Sequence, residues 1–186
     1  MKATHYIILA TIFLLSCGAR GINGKEIEDP AKEQDKVKTG IHIGQRAPEL
    51  VFESPAGEKI SLSSLRGQMV LIDFWAAWCG PCRRENPNLV NTYRQYMDKE
   101  FENGSGFTIY SVSLDKKMEN WTAAIEKDSL GWESHVSDLK GWQSAAAVEY
   151  EVRSIPANTL IDGNGIIVSV GLRGRYLDDK LKELLK

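Results

Sequence analysis

Residues 69–75 form a nearly uninterrupted apolar run, and two closely spaced cysteines follow it almost at once. The run reads MVLIDFW, and residues 78–82 read WCGPC. An apolar run of this length is typical of a strand that is buried on both faces within a mixed or parallel sheet. The sequence therefore predicts that two sulfur atoms lie just beyond the end of a central strand.

The two cysteines, Cys79 and Cys82, are separated only by Gly80 and Pro81. Such a pair can open and close a small disulfide ring when the first cysteine stands at the start of a helix. Unpaired N–H groups and the positive end of the helix dipole favour the thiolate at that place. Because the thiolate is the attacking species in disulfide exchange, Cys79 is the predicted nucleophile, and Cys82 is the predicted resolving thiol.

Structural zinc is the main alternative for this motif, because a CxxC pair also supplies half of a tetrahedral site. The sequence has no second CxxC pair, and His42 and His135 are isolated residues without ligand spacing. Four ligands cannot be assembled convincingly from these residues. We therefore expect neither a metal nor a cofactor.

The remaining hydrophobic pattern predicts an α/β fold with a central mixed sheet flanked by helices. A βαβα order is followed by a ββ hairpin and a closing helix. The predicted elements are a hairpin over Glu49–Ile60, a strand over Met69–Trp75, a helix over Gly80–Lys99 kinked at Pro87, a strand over Phe107–Leu114, a helix around Met118–Ile125, a short strand over Trp132–Val136, a short helix over Gln143–Tyr150, two strands over Asn158–Ile161 and Ile166–Val170, and a helix over Leu177–Leu185.

The N-terminus predicts export. Residues 1–16 contain Lys2 and an apolar stretch of ten residues from Tyr6 to Leu15. This stretch is too short to span a bilayer, which needs about 20 residues, but it suits the apolar region of a secretory signal peptide. Residues 14–17 read LLSC and resemble a bacterial lipobox, in which the cysteine carries the lipid. An ordinary signal peptide with an incidental Cys17 is the alternative.

Residues 17–40 predict a lipidated cysteine followed by a flexible tether. They carry many charges and no aromatic residue, so they cannot bury enough apolar surface to offset the entropy of folding. The folded domain is expected over residues 41–186. The protein is thus predicted to be a membrane-anchored lipoprotein of the bacterial cell envelope that faces the periplasm.

The overall charge excludes one class of partner. The chain has 23 Lys and Arg residues against 25 Asp and Glu residues, for a formal net charge of −2. This balance gives no electrostatic argument for nucleic-acid binding. We expect a monomer whose partners are proteins and a membrane.

Several motifs carry a family resemblance. Residues 71–82, LIDFWAAWCGPC, resemble the active-site strand and loop of thioredoxin, and Ser154-Ile155-Pro156 resembles its cis-proline segment. Three further segments are similar to the membrane-tethered TlpA/ResA-like proteins of the AhpC/TSA and thioredoxin superfamily: Gly44–Pro48, Leu62–Gly67 and Cys82–Pro87. The resemblance covers about residues 41–186 and implies a thioredoxin-like fold with an N-terminal β-hairpin extension.

The resemblance also implies roles for residues around the cysteines. Pro156 is expected to follow a cis peptide bond, with the backbone of Ile155 beside the sulfurs, where it pairs with an extended substrate strand and blocks metal binding. Trp78, together with Gly80 and Pro81, is expected to shape the surface on which partners dock.

Two carboxylates are candidate proton carriers. Asp73 interrupts the apolar strand, so desolvation should raise its pKa and let it take a proton from Cys82. This matches the buried aspartate of thioredoxins, whereas many TlpA/ResA-like relatives have asparagine or another residue there. Glu85 matches the active-site glutamate of that subgroup and is expected to modulate both thiol pKa values. The alternatives are that Asp73 only satisfies a backbone group near a bulge and that Glu85 is an ordinary solvated helix residue.

The predicted function is reduction of disulfides in exported proteins. The Gly80-Pro81 pair resembles strongly reducing thioredoxins, whose potential is about −270 mV. The resemblance implies a membrane electron donor of the DsbD/CcdA kind and clients that include apocytochrome c, as in cytochrome c maturation. An oxidase or isomerase is the nearest alternative, because the compartment is oxidising.

Two further alternatives remain open at this stage. An AhpC/TSA-type peroxidase is one, although Ala76 and Ala77 stand where peroxiredoxins carry a threonine ahead of the cysteine. A lipid-anchored interaction module without activity is the other, and the intact cysteine pair argues against it.

Overall fold

The apolar run at 69–75 is a strand in which all seven residues are buried. The computed structural model describes residues 37–186, within a compact unit that runs from Lys36 to Lys186. The predicted signal peptide, Cys17 and the predicted tether up to residue 36 lie outside the described residues.

The described part of the chain alternates strands and helices much as the hydrophobic pattern predicts. In chain order the elements are β1 (Val51–Glu53), β2 (Lys59–Ser61), β3 (Met69–Trp75), α1 (Gly80–Tyr96), β4 (Glu100–Phe101), β5 (Gly104–Ser105), β6 (Phe107–Ser113), α2 (Met118–Lys127), β7 (His135–Val136), α3 (Ala145–Glu149), β8 (Ala157–Ile161), β9 (Ile167–Val170) and α4 (Arg175–Glu183). Single 3-10 turns lie at Leu62–Leu65 and Gly141–Gln143.

The central sheet is mixed, as predicted. Its five strands follow the order β7-β6-β3-β8-β9. Strand β3 lies in the middle, parallel to β6 and antiparallel to β8. The parallel pair is joined by the crossover helix α1, and the antiparallel strands β8 and β9 form a hairpin. This is the α/β architecture with flanking helices that the sequence indicated.

The side chains of β3 alternate between two core clusters. Leu71 and Trp75 belong to the first core cluster, which also contains Cys79 and Cys82. The apolar residues at 70, 72 and 74 belong to the second core cluster, on the other side of the sheet. Because successive strand residues point to opposite faces, Asp73 shares the face on which the cysteines pack.

The N-terminal hairpin is confirmed, but the folded part begins earlier than residue 41. Strands β1 and β2 pair antiparallel. The N–H of Gly40 donates to the carbonyl of Arg46, and the N–H of Arg46 donates to the carbonyl of Lys38, each at 3.0 Å. Residues 38–40 were assigned to the tether on composition. Composition cannot show that their backbone groups pair with Arg46.

Helix α1 contains Pro87, as predicted, but ends at Tyr96 instead of Lys99. The chain then forms a small antiparallel hairpin, β4–β5, which the sequence analysis missed. Strands of two residues are too short to show any hydrophobic period. The kink expected at Pro87 stays a prediction.

Other element boundaries shift by a few residues. The strand expected over residues 132–136 is confined to β7, and the helix expected over 143–150 is a 3-10 turn followed by α3. The turn between β8 and β9 is confirmed at residues 162–165. The side chain of Asp162 fixes it by accepting N–H bonds from Asn164 at 3.0 Å and Ile166 at 2.8 Å.

Among residues 37–186, no helix combines the length and the apolar character needed to cross a bilayer.

Candidate functional site

Cys79 and Cys82 form a disulfide at the start of α1. The S–S distance is 2.06 Å and the Cα–Cα distance is 5.3 Å. Cys79 is the N-cap residue of α1, and its sulfur accepts the backbone N–H of Cys82 at 3.2 Å. The residue after Gly80 is Pro81, which lacks an N–H and suits the first turn of a helix. This is the helix-start position that the sequence predicted for the attacking thiol.

The disulfide is covered, while its surroundings are open. Cys79 is 3% exposed and Cys82 is 1% exposed. Trp78, Gly80 and Pro81 are all exposed and lie around the sulfurs. The exposed residues next to the sulfurs are thus the three predicted to dock partners, and their docking role stays a prediction.

The loop before Cys79 is fixed by two side chains, that of Asp115 after β6 and that of Arg83 on α1. The N–H of Ala77 donates to Oδ2 of Asp115 at 2.8 Å. The carbonyl of Ala77 accepts from Nη1 of Arg83 at 3.2 Å. Asp115 is buried and also accepts from Oγ of Ser113 at 2.8 Å. Both polar groups of the Ala77 backbone are thus held, which sets the position from which the chain enters the active-site motif.

Arg83 is itself anchored. Its Nη2 donates to Oδ1 of Asp128 at 2.6 Å, its Nε also donates to that carboxylate, and Nδ2 of Asn86 donates to Oδ2 at 2.6 Å. Burial acts to raise the pKa of Asp128, but the hydrogen bonds from Arg83 and Asn86 outweigh it and hold this pKa below its ordinary value. The carboxylate is therefore charged, and it keeps Arg83 directed at the Ala77 carbonyl.

The peptide bond between Ile155 and Pro156 is cis, as the resemblance implied. Ala157, the next residue, pairs with Phe74 near the end of β3. Because β8 runs antiparallel to β3, this register places Pro156, just before β8, beside the C-terminal end of β3. The chain continues from that end to Cys79. Ile155 packs against the first core cluster, to which both cysteines belong. The structure thus brings the predicted cis-proline segment to the same end of β3 as the cysteines.

Asp73 is a buried carboxyl group in the middle of β3. It is 4% exposed, and its pKa is raised from 3.8 to about 7. Desolvation is the largest cause, the negative charge of Glu85 adds to it, and the positive charge of Arg173 opposes it. The register of β3 with β6 and β8 is unbroken at Asp73, and no residue within 37–186 makes a hydrogen bond to its carboxyl group. The alternative of a bulge-capping role therefore has no support.

Glu85 lies on α1 and reaches the start of α4. Its Oε1 accepts the N–H of Gly174 at 2.6 Å, and its Oε2 accepts from Nδ2 of Asn88 at 3.2 Å. Glu85 is half-buried, and its charge acts on Asp73. These contacts differ from those of a freely solvated helix residue. Its predicted influence on the two thiols stays a prediction.

The segment Leu172-Arg173-Gly174 was missed by the sequence analysis. The side-chain amide of Asn158 binds both backbone groups of Leu172. It accepts the Leu172 N–H at 2.8 Å and donates to the Leu172 carbonyl at 2.6 Å. Nη2 of Arg173 donates to the carbonyl of Pro156 at 2.6 Å. With the bond from Gly174 to Glu85, three consecutive residues tie together α1, β8 and the cis-proline segment.

Two features of the structure mark this segment. Asn158 is a residue type depleted in strands, and it is buried directly opposite Asp73 in the register. Gly174 has φ +51° and ψ −128°, a conformation that favours glycine.

Trp142 is a further residue that the sequence analysis did not single out. Its ring lies 6.1 Å from that of Trp78, measured between centroids. Trp75, by contrast, is 1% exposed and belongs to the core. The signal for Trp142 was a Gly-Trp pair in a polar stretch, which alone does not distinguish a surface contact from core packing.

A metal centre is not formed by the described residues. Between residues 37 and 186, no group of three or more His, Cys, Asp or Glu side chains is placed to hold an ion. His135 is buried, and its Nε2 lies 3.1 Å from the carbonyl of Leu130.

Comparison with known proteins agrees with this geometry. Residues 43–170 match the AhpC/TSA family. The thioredoxin-like protein YneN of Bacillus subtilis (strain 168) is 33% identical over 135 residues, which are 73% of this chain and 74% of that protein. The thiol-disulfide oxidoreductase ResA of Bacillus thuringiensis subsp. konkukian (strain 97-27) is 26% identical over 186 residues, 100% of this chain and 98% of that protein.

Solved structures give the same result. The thioredoxin domain of a thiol-disulfide oxidoreductase from Bacteroides vulgatus superposes with a TM-score of 0.70 at 35% identity, covering 79% of this chain and 100% of that chain. Fold, family match and cysteine geometry thus agree. The chain belongs to the AhpC/TSA family and is a thioredoxin-like thiol-disulfide oxidoreductase.

Proposed function

We propose that this protein reduces disulfide bonds of exported proteins at the bacterial cell envelope. The observation that carries the proposal is the position of Cys79 as N-cap of α1, with the N–H of Cys82 donating to its sulfur. Once the disulfide is reduced, this donor and the helix dipole favour a thiolate on Cys79 over one on Cys82. Cys79, flanked by the exposed residues Trp78 and Gly80, then presents a nucleophile to a client disulfide.

The reaction has two exchange steps. The Cys79 thiolate attacks one sulfur of the client disulfide, which forms a mixed disulfide and releases the first client thiolate. Cys82 then loses its proton and attacks the sulfur of Cys79, which releases the second client thiolate and forms the Cys79–Cys82 disulfide seen in the structure. The client gains two electrons and the protein loses two, so a donor must reduce the pair before the next cycle.

Asp73 is the proposed acceptor of the Cys82 proton. It points to the face of the sheet on which both cysteines pack, and its pKa of about 7 lets it exchange protons near neutral pH. Glu85 and Arg173 adjust that pKa in opposite directions. The two charged residues are therefore proposed to tune the second exchange step.

The direction of electron flow is tested by the reduction potential of the Cys79–Cys82 couple. The Gly80-Pro81 pair supports a reducing couple, with a potential of about −270 mV. Equilibration of the protein with dithiol buffers of defined potential measures it. A value above about −150 mV, toward the oxidising end of known couples, would contradict reduction and favour an oxidase or isomerase.

The location is proposed from the N-terminal sequence. Cleavage after residue 16 would make Cys17 the first residue, and a lipid attached to Cys17 would hold the domain at the membrane, facing the periplasm. Cell fractionation tests this: the wild type should be found with membranes and Cys17→Ser in the soluble fraction. A variant that stays with the membrane would contradict lipid anchoring.

The partners are proposed to be a membrane donor of the DsbD/CcdA kind and clients that include apocytochrome c. The support is the resemblance to the TlpA/ResA-like subgroup. Cys82→Ser stops the second exchange step, so clients should accumulate as mixed disulfides on Cys79 and can be identified after isolation from cells. Cys79→Ser is the matched control, which should trap no client through the attacking position.

A further inference from the structure

Two tryptophans are exposed side by side next to the active-site disulfide. Trp78 is 56% exposed and Trp142 is 47% exposed, and their rings are in contact. Trp78 directly precedes Cys79, whereas Trp142 lies in the 3-10 turn at Gly141–Gln143, which comes after α2 in the chain. Large exposed rings in contact are typical of protein-binding surfaces.

Trp78 lines two grooves. The first has a volume of about 230 Å³ and is lined by Trp78, Trp142, Lys116 and Lys117 among others. The second has a volume of about 280 Å³ and includes Lys127 in its wall. Both grooves that Trp78 lines therefore also contain cationic side chains.

The exposed charge of the first groove is positive. Lys116 and Lys117 are both exposed, and neither forms an ion pair within the part of the chain that the structure describes. The acidic residue in the wall is Asp115, but it is 1% exposed and its Oδ2 accepts from Ala77 and Ser113.

The position of this charge is specific. The chain as a whole has a net charge of −2, so general basicity does not explain a cationic groove beside the disulfide. The stem of Lys116 packs over Gly141, where an added Cβ would lie 2.8 Å from its Cε. Gly141 therefore leaves room for the Lys116 side chain, which lines the groove together with Trp142.

We propose that the groove between Trp78 and Trp142 binds a client segment that carries acidic side chains next to its disulfide. The proposal rests on the proposed function, since it names the kind of client that the reductase accepts. The rings bury apolar parts of the segment, and the two lysines attract its carboxylates and speed the encounter. The client disulfide is then delivered to Cys79, which directly follows Trp78.

Two synthetic peptides test the proposal. Each contains one disulfide within the same apolar sequence, flanked by aspartates in one peptide and by lysines in the other. Their reduction by the reduced wild-type protein is compared with that of 2-hydroxyethyl disulfide, which is uncharged and too small to fill the groove. We expect the acidic peptide to be reduced about tenfold faster than the basic one at low salt. The difference should shrink in 0.5 M NaCl because salt screens exposed charges.

Variants assign the preference to the groove. Lys116→Glu with Lys117→Glu should reverse the order of the two peptides, and the corresponding pair of Gln substitutions should remove the preference. Trp142→Ala should lower the rates of both peptides relative to that of 2-hydroxyethyl disulfide. Arg94→Glu with Lys99→Glu makes the same charge change at the far end of α1 and should leave the preference as in the wild type.

The outcomes separate the two proposals. Equal rates for the two peptides in the wild type, or a preference that survives in the Lys116 and Lys117 variants, overturn the inference and leave the reductase function intact. A wild type that reduces neither the peptides nor 2-hydroxyethyl disulfide contradicts the proposed function, and the client preference falls with it.

Discussion

Replacement of Asp73 by asparagine should raise the free energy of unfolding, relative to the wild type, more in alkaline than in acidic solution. The folded protein holds the Asp73 proton up to a pKa of about 7, whereas the ordinary value of 3.8 applies to the unfolded chain. Between these values the folded state binds more protons than the unfolded state, so the free energy of unfolding decreases as the pH rises. Above pH 7 the cost of a buried charged carboxylate is fully present.

The size of the effect follows from the shift. A pKa raised from 3.8 to about 7 corresponds to a cost of roughly 4 kcal/mol at high pH, at about 1.4 kcal/mol for each pKa unit. Because part of this cost is already present at pH 5, the change between pH 5 and pH 8.5 is roughly 3 kcal/mol. Asparagine has nearly the same shape and cannot ionise, so Asp73→Asn removes this pH dependence.

Urea unfolding of the oxidised protein at several pH values measures the effect. The difference in free energy of unfolding between Asp73→Asn and the wild type should move in favour of the variant by roughly 3 kcal/mol from pH 5 to pH 8.5. Asp179→Asn, at an exposed position of α4, controls for the loss of one acidic residue. A difference that is the same at every pH would refute the assignment of a raised pKa to Asp73.

Two further predictions concern the same site. Glu85→Gln should lower the pKa of Asp73 and Arg173→Gln should raise it, because the first change removes a nearby negative charge and the second a positive one. NMR titration of the Asp73 carboxyl carbon measures both pKa changes, and changes of the same sign would contradict the assignment. Asp115→Asn weakens the bond to the Ala77 N–H and should cost about 1–3 kcal/mol in urea unfolding, together with slower reduction of disulfides. Unchanged stability and rate would show that the Ala77 loop keeps its position without that carboxylate.

The sequence was sufficient for the parts of the fold that have a clear local pattern. The run at 69–75 is long and apolar enough to identify β3, and the WCGPC motif was sufficient to predict a cysteine pair at the start of a helix. Short elements such as β4–β5 carry no period, so their pairing depends on the rest of the chain. The same holds for residues 38–40, whose backbone groups pair with those of Arg46.

The site was predictable to a similar extent. Asp73 stood out because a carboxyl group is rare in a buried strand, and the cis bond before Pro156 followed from a family resemblance. Arg173 and Trp142 gave no such signal. Their importance comes from contacts across the fold, to the carbonyl of Pro156 and the ring of Trp78, and one sequence does not show such contacts.

The segment at 172–174 has a consequence for how the active site is assembled. The site combines residues 73–85 with residues 155–158, which lie far apart along the chain. The pairing of β3 with β8 joins the two parts directly, and Leu172 and Gly174 add a second link through Asn158 and Glu85. Loss of the chain from residue 172 onward would therefore remove this second link without removing either cysteine. The amide protons of Leu172 and Gly174 should exchange with solvent when their bonds to Asn158 and Glu85 open, and their exchange rates thus report how often this link is broken in the intact enzyme.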